Sequence, residues 1–218
     1  MPEVSRLMRA CLLVTLLSSI GCATREHAPE VRVPRVQVPP RLDLADWTTI
    51  GIVDFDCGSN PKLADQATRQ FVQMIQAAQP GARILELGDQ RRVLSDVGHS
   101  ELNFEAARAL GERYQLDAVF MGALTLGEAK PQVMFGQGFA SMRARVDVTG
   151  QLLAKLLETN SGALVWSRSS SGKVNVASLG LPTTGLPSFG AKDPADARAG
   201  LVQSLVGELR YDFYSTWE

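Results

Sequence analysis

The 218-residue chain carries 22 Lys and Arg against 23 Asp and Glu, a formal net charge of -1, and 45% of its residues are hydrophobic. This balance lacks the clustered basic charge with which a protein follows the phosphates of a nucleic acid. The length suits one domain of ordinary size with a flanking segment, and it leaves little room for a second large domain.

The first 22 residues predict an export signal followed by a lipid anchor. Arg6 and Arg9 precede an apolar run over residues 10–20, which is too short to span a bilayer as a helix. Gly21 and Cys22 follow, an order that resembles the lipobox of bacterial lipoproteins, in which the cysteine is lipidated and becomes the new N-terminus. We therefore predict a signal peptide over residues 1–21 and lipidation at Cys22, with ordinary signal cleavage as the alternative. The resemblance implies the periplasmic face of the outer membrane, because the inner-membrane retention signal, an Asp after the cysteine, is replaced by Ala23.

Residues 22–46 predict an extended tether, because they contain four prolines and no amphipathic period. Alternating valines leave a second interpretation open, in which the part near Val36 to Leu42 adds to an edge of the sheet. We predict that the folded periplasmic domain begins at Trp47 and covers residues 47–218.

Hydrophobic periodicity then predicts alternating strands and helices. Residues 48–55 are rich in β-branched side chains, and residues 145–157 alternate with the period of two that is typical of a half-buried strand. Asn60-Pro61 and Asp193-Pro194 combine a capping side chain with a proline suited to the first helical position. The order of elements, βα-βαα-βββα, predicts a single α/β sandwich with a mixed sheet that ends in an antiparallel hairpin and a helix. The other predicted elements are strand 83–87, a helix after Asp89, a helix from about Asn103, strand 116–124 and strand 163–167, followed by the final helix.

Two segments, 126–142 and 169–192, fall outside this scheme and are predicted to be long loops at one end of the sheet. Loops of this length are commonly functional. We therefore predict that they form a binding surface, with these candidate residues: Lys130, Gln132, Phe135, Gln137, Phe139, Leu181, Thr183 and Phe189.

The remaining polar motifs give little support for catalysis. Asp54 and Asp56 end a strand and form a candidate hydrolase pair, although aspartates in this position more often cap a turn. Cys57 is predicted to be a buried or half-buried thiol without a disulfide partner. His27 and His99 are far apart in sequence and lack neighbouring ligands at metal-binding spacing, so we predict no metal site and no cofactor.

Strands 48–55 and 117–124, the segment LLETNSGALVW at residues 156–166 and the helix after Asp193-Pro194 together resemble a group of periplasmic lipoproteins. The group includes the curli secretion channel subunit, the lipoprotein activators of penicillin-binding proteins and the amino-terminal domain of the Tol propeller protein. The resemblance covers most of residues 47–215 and implies a shared fold with varied functions. In the channel subunit two membrane-crossing hairpins occupy the places of segments 126–142 and 169–192, whose lengths and prolines here fit such hairpins poorly.

We therefore expect a non-catalytic, lipid-anchored envelope lipoprotein that binds another envelope protein or a cell-wall component. An oligomeric outer-membrane export channel component, built from several copies of the chain, is the first alternative. A hydrolase that uses Asp54 and Asp56 is the second.

Overall fold

The computed structural model describes residues 35–58, 60–135, 142–181 and 188–217, and all structural statements below concern these residues. Strands and helices alternate in the first half, and long strands dominate the second half. The strands are β1 (Gln37–Val38), β2 (Ile50–Val53), β3 (Ile84–Gly88), β4 (Ala118–Leu126), β5 (Lys130–Phe135), β6 (Met142–Glu158), β7 (Leu164–Leu181), β8 (Ser188–Ala191) and β9 (Thr216–Trp217). The helices are α1 (Pro61–Ala78), α2 (Gln90–Asp96), α3 (Phe104–Tyr114) and α4 (Pro194–Leu209), and short 3₁₀ turns cover Leu44–Asp46 and Arg210–Asp212.

The main sheet is mixed, as the sequence predicted. Its strand order is β3-β2-β4-β6-β7-β8, and β5 pairs with β6 on the edge of β6 that also carries β4. Strands β3, β2 and β4 are parallel, whereas β4, β5, β7 and β8 join antiparallel neighbours. The predicted α/β sandwich is therefore confirmed, with its parallel part early and its antiparallel part late in the chain.

Side-chain caps start the helices at the predicted positions. The side chains of Asn60, Asp89, Asn103 and Asp193 each accept a hydrogen bond from a backbone N–H in the first turn of the helix that follows. These bonds satisfy donors that have no partner within the helix. Local sequence signals thus place the helix starts correctly.

Two apolar clusters cover opposite faces of the sheet. Helices α1 and α4 pack on one face around Phe71, whose ring lies 5.2–6.5 Å from the rings of Phe55, Phe120, Trp166 and Phe213. Helices α2 and α3 cover the other face of β2 and β4 through a smaller cluster. The sheet is therefore the middle layer of the sandwich where its strands are parallel.

Helix α4 approaches the sheet closely at two paired glycines. Gly150 of β6 is the cross-strand partner of Gly172 of β7, and a Cβ atom on Gly150 would lie 2.9 Å from Leu201 Cδ2. A side chain at this position would force the Leu201 side chain to shift, so the glycine pair leaves room for the leucines of α4 against the sheet.

The loops predicted over residues 126–142 and 169–192 are largely strands, which corrects the sequence interpretation. β5 lies within the first segment, β6 begins at Met142, and the second contains the end of β7 and all of β8. Serines and glycines in β7 hid the strand pattern, since the strand gains its stability from pairing with β6 along its length. The folded part also includes Leu42 and Leu44, ahead of Trp47, because both side chains are buried in the α1–α4 cluster.

The Gln79 side chain ties this early segment to the two ends of the fold. Its Nε2 donates to the carbonyl oxygens of Leu42 (2.7 Å) and Phe213 (3.0 Å), and its Oε1 accepts from the Leu44 N–H (2.7 Å). One side chain at the end of α1 therefore holds the segment before β2 against the segment after α4.

We expect Leu44→Ala to lower the free energy of unfolding by about 2–5 kcal/mol, because it leaves a cavity beneath the segment that Gln79 holds. Chemical denaturation measures the change. Leu164→Ala, at an exposed position of β7, is the matched control and should change stability by less than about 0.5 kcal/mol. Equal stabilities for the two variants would show that residues 42–46 do not belong to the core.

Candidate functional site

The end of the main sheet extends past the helical layer as a four-stranded antiparallel sheet, here called the extension sheet. It consists of β5, residues 142–147 of β6, residues 177–181 of β7, and β8. Helix α4 begins at Pro194, shortly after β8, and runs back over the body of the sheet towards Gly150 and Gly172. The extension sheet thus lies beyond the start of the helix that covers the body.

The strand register sorts the extension sheet into an apolar face and a polar face. Val133, Ala144, Leu179 and Phe189 are successive cross-strand partners and therefore form one row across all four strands. Side chains in one row point to one face of a sheet. Two further rows share this face: Pro131, Val146, Ala177 and Ala191, and then Phe135, Met142 and Leu181. We call these three rows the apolar face.

The alternate rows carry polar and basic side chains. They contain Gln132, Arg145, Ser178 and Gly190, and then Met134, Arg143, Gly180 and Ser188. One face of the extension sheet is therefore apolar, and the opposite face is polar.

The apolar face continues the face of β6 that packs in the core, but its side chains are more exposed to solvent. Val148 is buried under the helices, whereas Val133 is 52% exposed and Phe189 is 76% exposed. Val146 still packs against the larger apolar cluster, whereas Val133, Leu179 and Phe189 belong to neither of the two apolar clusters of the described residues. An uncovered apolar surface of this kind is typical of an interaction site.

A buried polar cluster fixes the base of the extension sheet. The Asp147 carboxylate accepts from Arg145 Nε (3.1 Å) and from Asn175 Nδ2 (3.0 Å), and Asn175 Nδ2 also lies within hydrogen-bond distance of the Val146 and Ala177 carbonyl oxygens. A register shift occurs here, since Val146 pairs with Ala177 and Asp147 pairs with Asn175. The Asn175 hydrogen bond, with the Arg145 hydrogen bond and charge, lowers the pKa of Asp147 despite desolvation. The cluster holds the bulge at which the sheet leaves the helical layer.

The predicted binding residues divide between the two faces. Phe135, Leu181 and Phe189 belong to the apolar face, whereas Lys130 and Gln132 belong to the polar rows. Gln137, Phe139, Thr183 and the predicted lipidation site Cys22 lie outside the described residues. Sequence reasoning missed Val133, Ala144 and Leu179, because the row that they share becomes visible only when the three strands are aligned.

A second candidate site is a cleft of about 470 Å³ at the carboxyl end of β2, lined by Asp54, Asp56, Cys57 and Asp89 among others. Asp56 Oδ1 accepts from the Gly58 N–H (2.9 Å), so Asp56 caps a turn. Burial, followed by repulsion from Asp65, Asp89 and Glu86, raises the pKa of Asp54. Burial and the nearby Asp56 likewise raise the pKa of the half-buried Cys57 thiol.

This cleft concentrates carboxylates but does not assemble a catalytic set. A raised pKa keeps the Cys57 thiol protonated and weakens it as a nucleophile. Within the described ranges, no group of three or more His, Cys, Asp or Glu side chains could hold a metal ion.

No protein-family model and no curated protein matches the chain. Among solved structures, the PelC dodecamer from Paraburkholderia phytofirmans is similar at 13% identity and a TM-score of 0.42, covering 83% of this chain and 97% of that one. The LpoB C-terminal domain from Salmonella enterica is similar at 13% identity and a TM-score of 0.35, covering 56% of this chain and 81% of that one. Lipoprotein GNA1162 from Neisseria meningitidis has 15% identity and a TM-score of 0.34, with 57% of this chain and 78% of that one covered.

Likenesses this weak leave the function of the chain to be argued from its own residues. In the part of the chain that the structure describes, no helix is both long enough and apolar enough to cross a membrane.

We expect Asp54→Asn to raise the free energy of unfolding at neutral pH slightly, by less than about 1 kcal/mol, because the carboxylate is partly solvated. The folded-state pKa lies above the unfolded value, so ionised Asp54 destabilises the fold as pH rises through this window. The gain should vanish below the ordinary aspartate pKa of 3.8, where Asp54 is protonated in both states. Denaturation at several pH values tests this, and Asp56→Asn is the control that should show no such gain, since Asn keeps the oxygen that accepts from the Gly58 N–H. A gain that persists in acid would contradict the assignment.

Proposed function

We propose that the protein is a non-catalytic, lipid-anchored lipoprotein of the bacterial outer membrane that binds another envelope component through the apolar face of its extension sheet. The observation that carries the proposal is the uncovered apolar face. Its chemistry favours a protein partner that presents an apolar surface, rather than a soluble polar ligand.

The apolar face has the composition of an interface centre. Phe189 protrudes most, and its row joins Val133, Ala144 and Leu179 into one continuous strip. Burying a side chain of this size contributes about 1.5–3 kcal/mol, so a partner that covers Phe189 and Val133 gains most of its affinity there. The polar rows on the reverse side can stay in water while the apolar face is covered.

The anchor is supported by the order of basic residues, apolar run, Gly21 and Cys22. With the thiol of Cys22 lipidated, the domain works within reach of the membrane. The same order supports export to the periplasm, and Ala23 in place of the inner-membrane retention Asp supports attachment at the outer membrane.

A second candidate is an oligomeric export component, in which another copy of the chain covers the apolar face. The structure favours it more than the sequence did, because both segments expected to be loops form paired strands. The two candidates differ in the molecule that contacts Phe189, and crosslinking separates them.

We expect Cys22→Ala to move the protein from the membrane fraction to the soluble fraction, because the mutation removes the thiol that would carry the lipid. Fractionation of cells followed by immunoblotting is the measurement. Cys57→Ala, a change at a half-buried thiol of the folded domain, is the control and should remain in the membrane fraction. Membrane association of the Cys22→Ala protein would refute lipid anchoring.

A photo-crosslinking residue at Leu181 should capture a partner in living cells, and Phe189→Glu should reduce the captured product about tenfold or more, because a charge replaces the protruding ring. Phe104→Glu, at an exposed position on α3, is the matched control and should leave capture unchanged. Unfolding curves establish that both variants fold.

A product that contains a different envelope protein supports the first candidate, and a product that contains two copies of this chain supports the second. Capture that is insensitive to Phe189→Glu would show that the apolar face is not the binding surface.

A further inference from the structure

We propose that the end of the domain opposite the extension sheet is a membrane-contact face, which rests on the bilayer surface and directs the extension sheet away from it. The face consists of Arg41, Arg210, Tyr211 and Trp217, here called the aromatic end face. The proposal rests on the proposed lipid anchor for its orientation, but the contact itself requires no lipid on the protein.

The aromatic end face has the chemistry of a bilayer interface. Tyr211 is 63% exposed and Trp217 is 64% exposed. The Arg210 guanidinium lies 5.7 Å from the centre of the Tyr211 ring and 5.5 Å from that of Tyr214. Indole and phenol rings with polar tips favour the headgroup level of a membrane, where the apolar ring and the polar atom are both satisfied.

Two exposed arginines belong to this face. Arg210 lies beside the Tyr211 ring, and Arg41 reaches the buried Asp212 only at 3.8 Å. Exposed cations are attracted to an anionic membrane surface. The charge therefore favours anionic headgroups over zwitterionic ones.

The chain enters the domain beside this face. Trp217 in β9 pairs with Gln37 in β1, so the backbone that leads back to Cys22 departs next to the Trp217 side chain. A fully extended chain from Cys22 to Gln37 spans at most about 50 Å. A short linker raises the effective concentration of the face at the bilayer and so strengthens a contact that the face also makes without the lipid.

The extension sheet lies at the other end of the same strands. The Asp212 carboxylate, next to Tyr211, accepts from Trp166 Nε1 (3.0 Å) near the start of β7, whereas β7 ends in the extension sheet at Leu181. At about 3.3 Å per residue, the stretch from Trp166 to Leu181 covers roughly 50 Å. Contact at the aromatic end face therefore holds the apolar face well away from the bilayer, where a periplasmic partner can reach it.

The test uses the chain from residue 22 onward with Cys22→Ser, which carries no lipid and retains every described residue. Sedimentation with vesicles of phosphatidylethanolamine containing phosphatidylglycerol as the minority anionic lipid should show binding. Trp fluorescence should shift to shorter wavelength on binding, since Trp217 is the most exposed of the three indoles. Vesicles of phosphatidylcholine alone should bind less.

Combining Trp217→Ala with Tyr211→Ala should reduce the bound fraction about tenfold or more, since each ring is exposed and contributes little to folding. Phe189→Ala, an equally drastic loss of an exposed ring at the extension sheet, is the matched control and should bind as the parent does. Absence of vesicle binding by the parent, or unchanged binding of the double variant, would overturn the proposal. Loss of binding in Phe189→Ala would also overturn it, by placing the extension sheet at the bilayer.

These outcomes are independent of the anchor. The protein tested lacks the Cys22 thiol, so failure here refutes the membrane-contact face and leaves lipid anchoring to the fractionation of Cys22→Ala. Release of Cys22→Ala from membranes supports anchoring whether or not the vesicles bind.

Discussion

Antiparallel pairing between β6 and β7 is the constraint on which the rest of the structure depends. The two strands pair almost end to end, from Met142 opposite Leu181 to Leu157 opposite Leu164. Helix α4 packs on β6 and β7 around Gly150 and Gly172. Residues 142–147 of β6 and residues 177–181 of β7 form two of the four strands of the extension sheet. The same hydrogen-bonded ladder thus supports the core and holds the uncovered apolar face in place.

A cluster of aromatic rings packs the helices against the part of the sheet from which the extension sheet continues. Phe71, Phe120, Trp166 and Phe213 come from α1, β4, β7 and the segment after α4, and their rings contact one another. The buried Asp212 completes the arrangement, because it accepts from Trp166 Nε1 and is approached by Arg41 and Arg168. A buried carboxylate is tolerated where it is paired and hydrogen-bonded in this way. The end of the domain beside the aromatic end face is consequently fixed.

The two candidate sites differ in how well their geometry supports a function. The cleft at Asp54 gathers carboxylates whose mutual repulsion raises a pKa, and one of its aspartates is engaged in a turn. The extension sheet presents aligned apolar rows, and Val133, Leu179 and Phe189 in these rows lie outside both apolar clusters of the described residues. Apolar area that is exposed to water is unfavourable unless a partner covers it. The extension sheet is therefore the better guide to function.

Short-range chemistry made much of the fold predictable. Asn60 and Asp193 cap their helices as expected, and the alternation along residues 145–157 identified a strand with one buried face. The length of β7 beyond the predicted strand 163–167 was not predictable, because Ser169 and Ser171 are typical of a loop until they pair with β6. The sequence named Phe135, Leu181 and Phe189 as candidate binding residues, and all three lie on the apolar face. It did not show that they share one surface.

The sequence by itself determined the helix starts, the mixed character of the sheet and the signal that predicts a lipid at Cys22, since caps, periodicity and segment order act over a few residues. Tertiary structure alone decided that Val133, Ala144, Leu179 and Phe189 share one row, because that row joins four strands that are distant in sequence. It also decided that Trp217 lies beside the start of the domain at Gln37. Both facts arise from hydrogen bonds between remote segments, which no local pattern encodes.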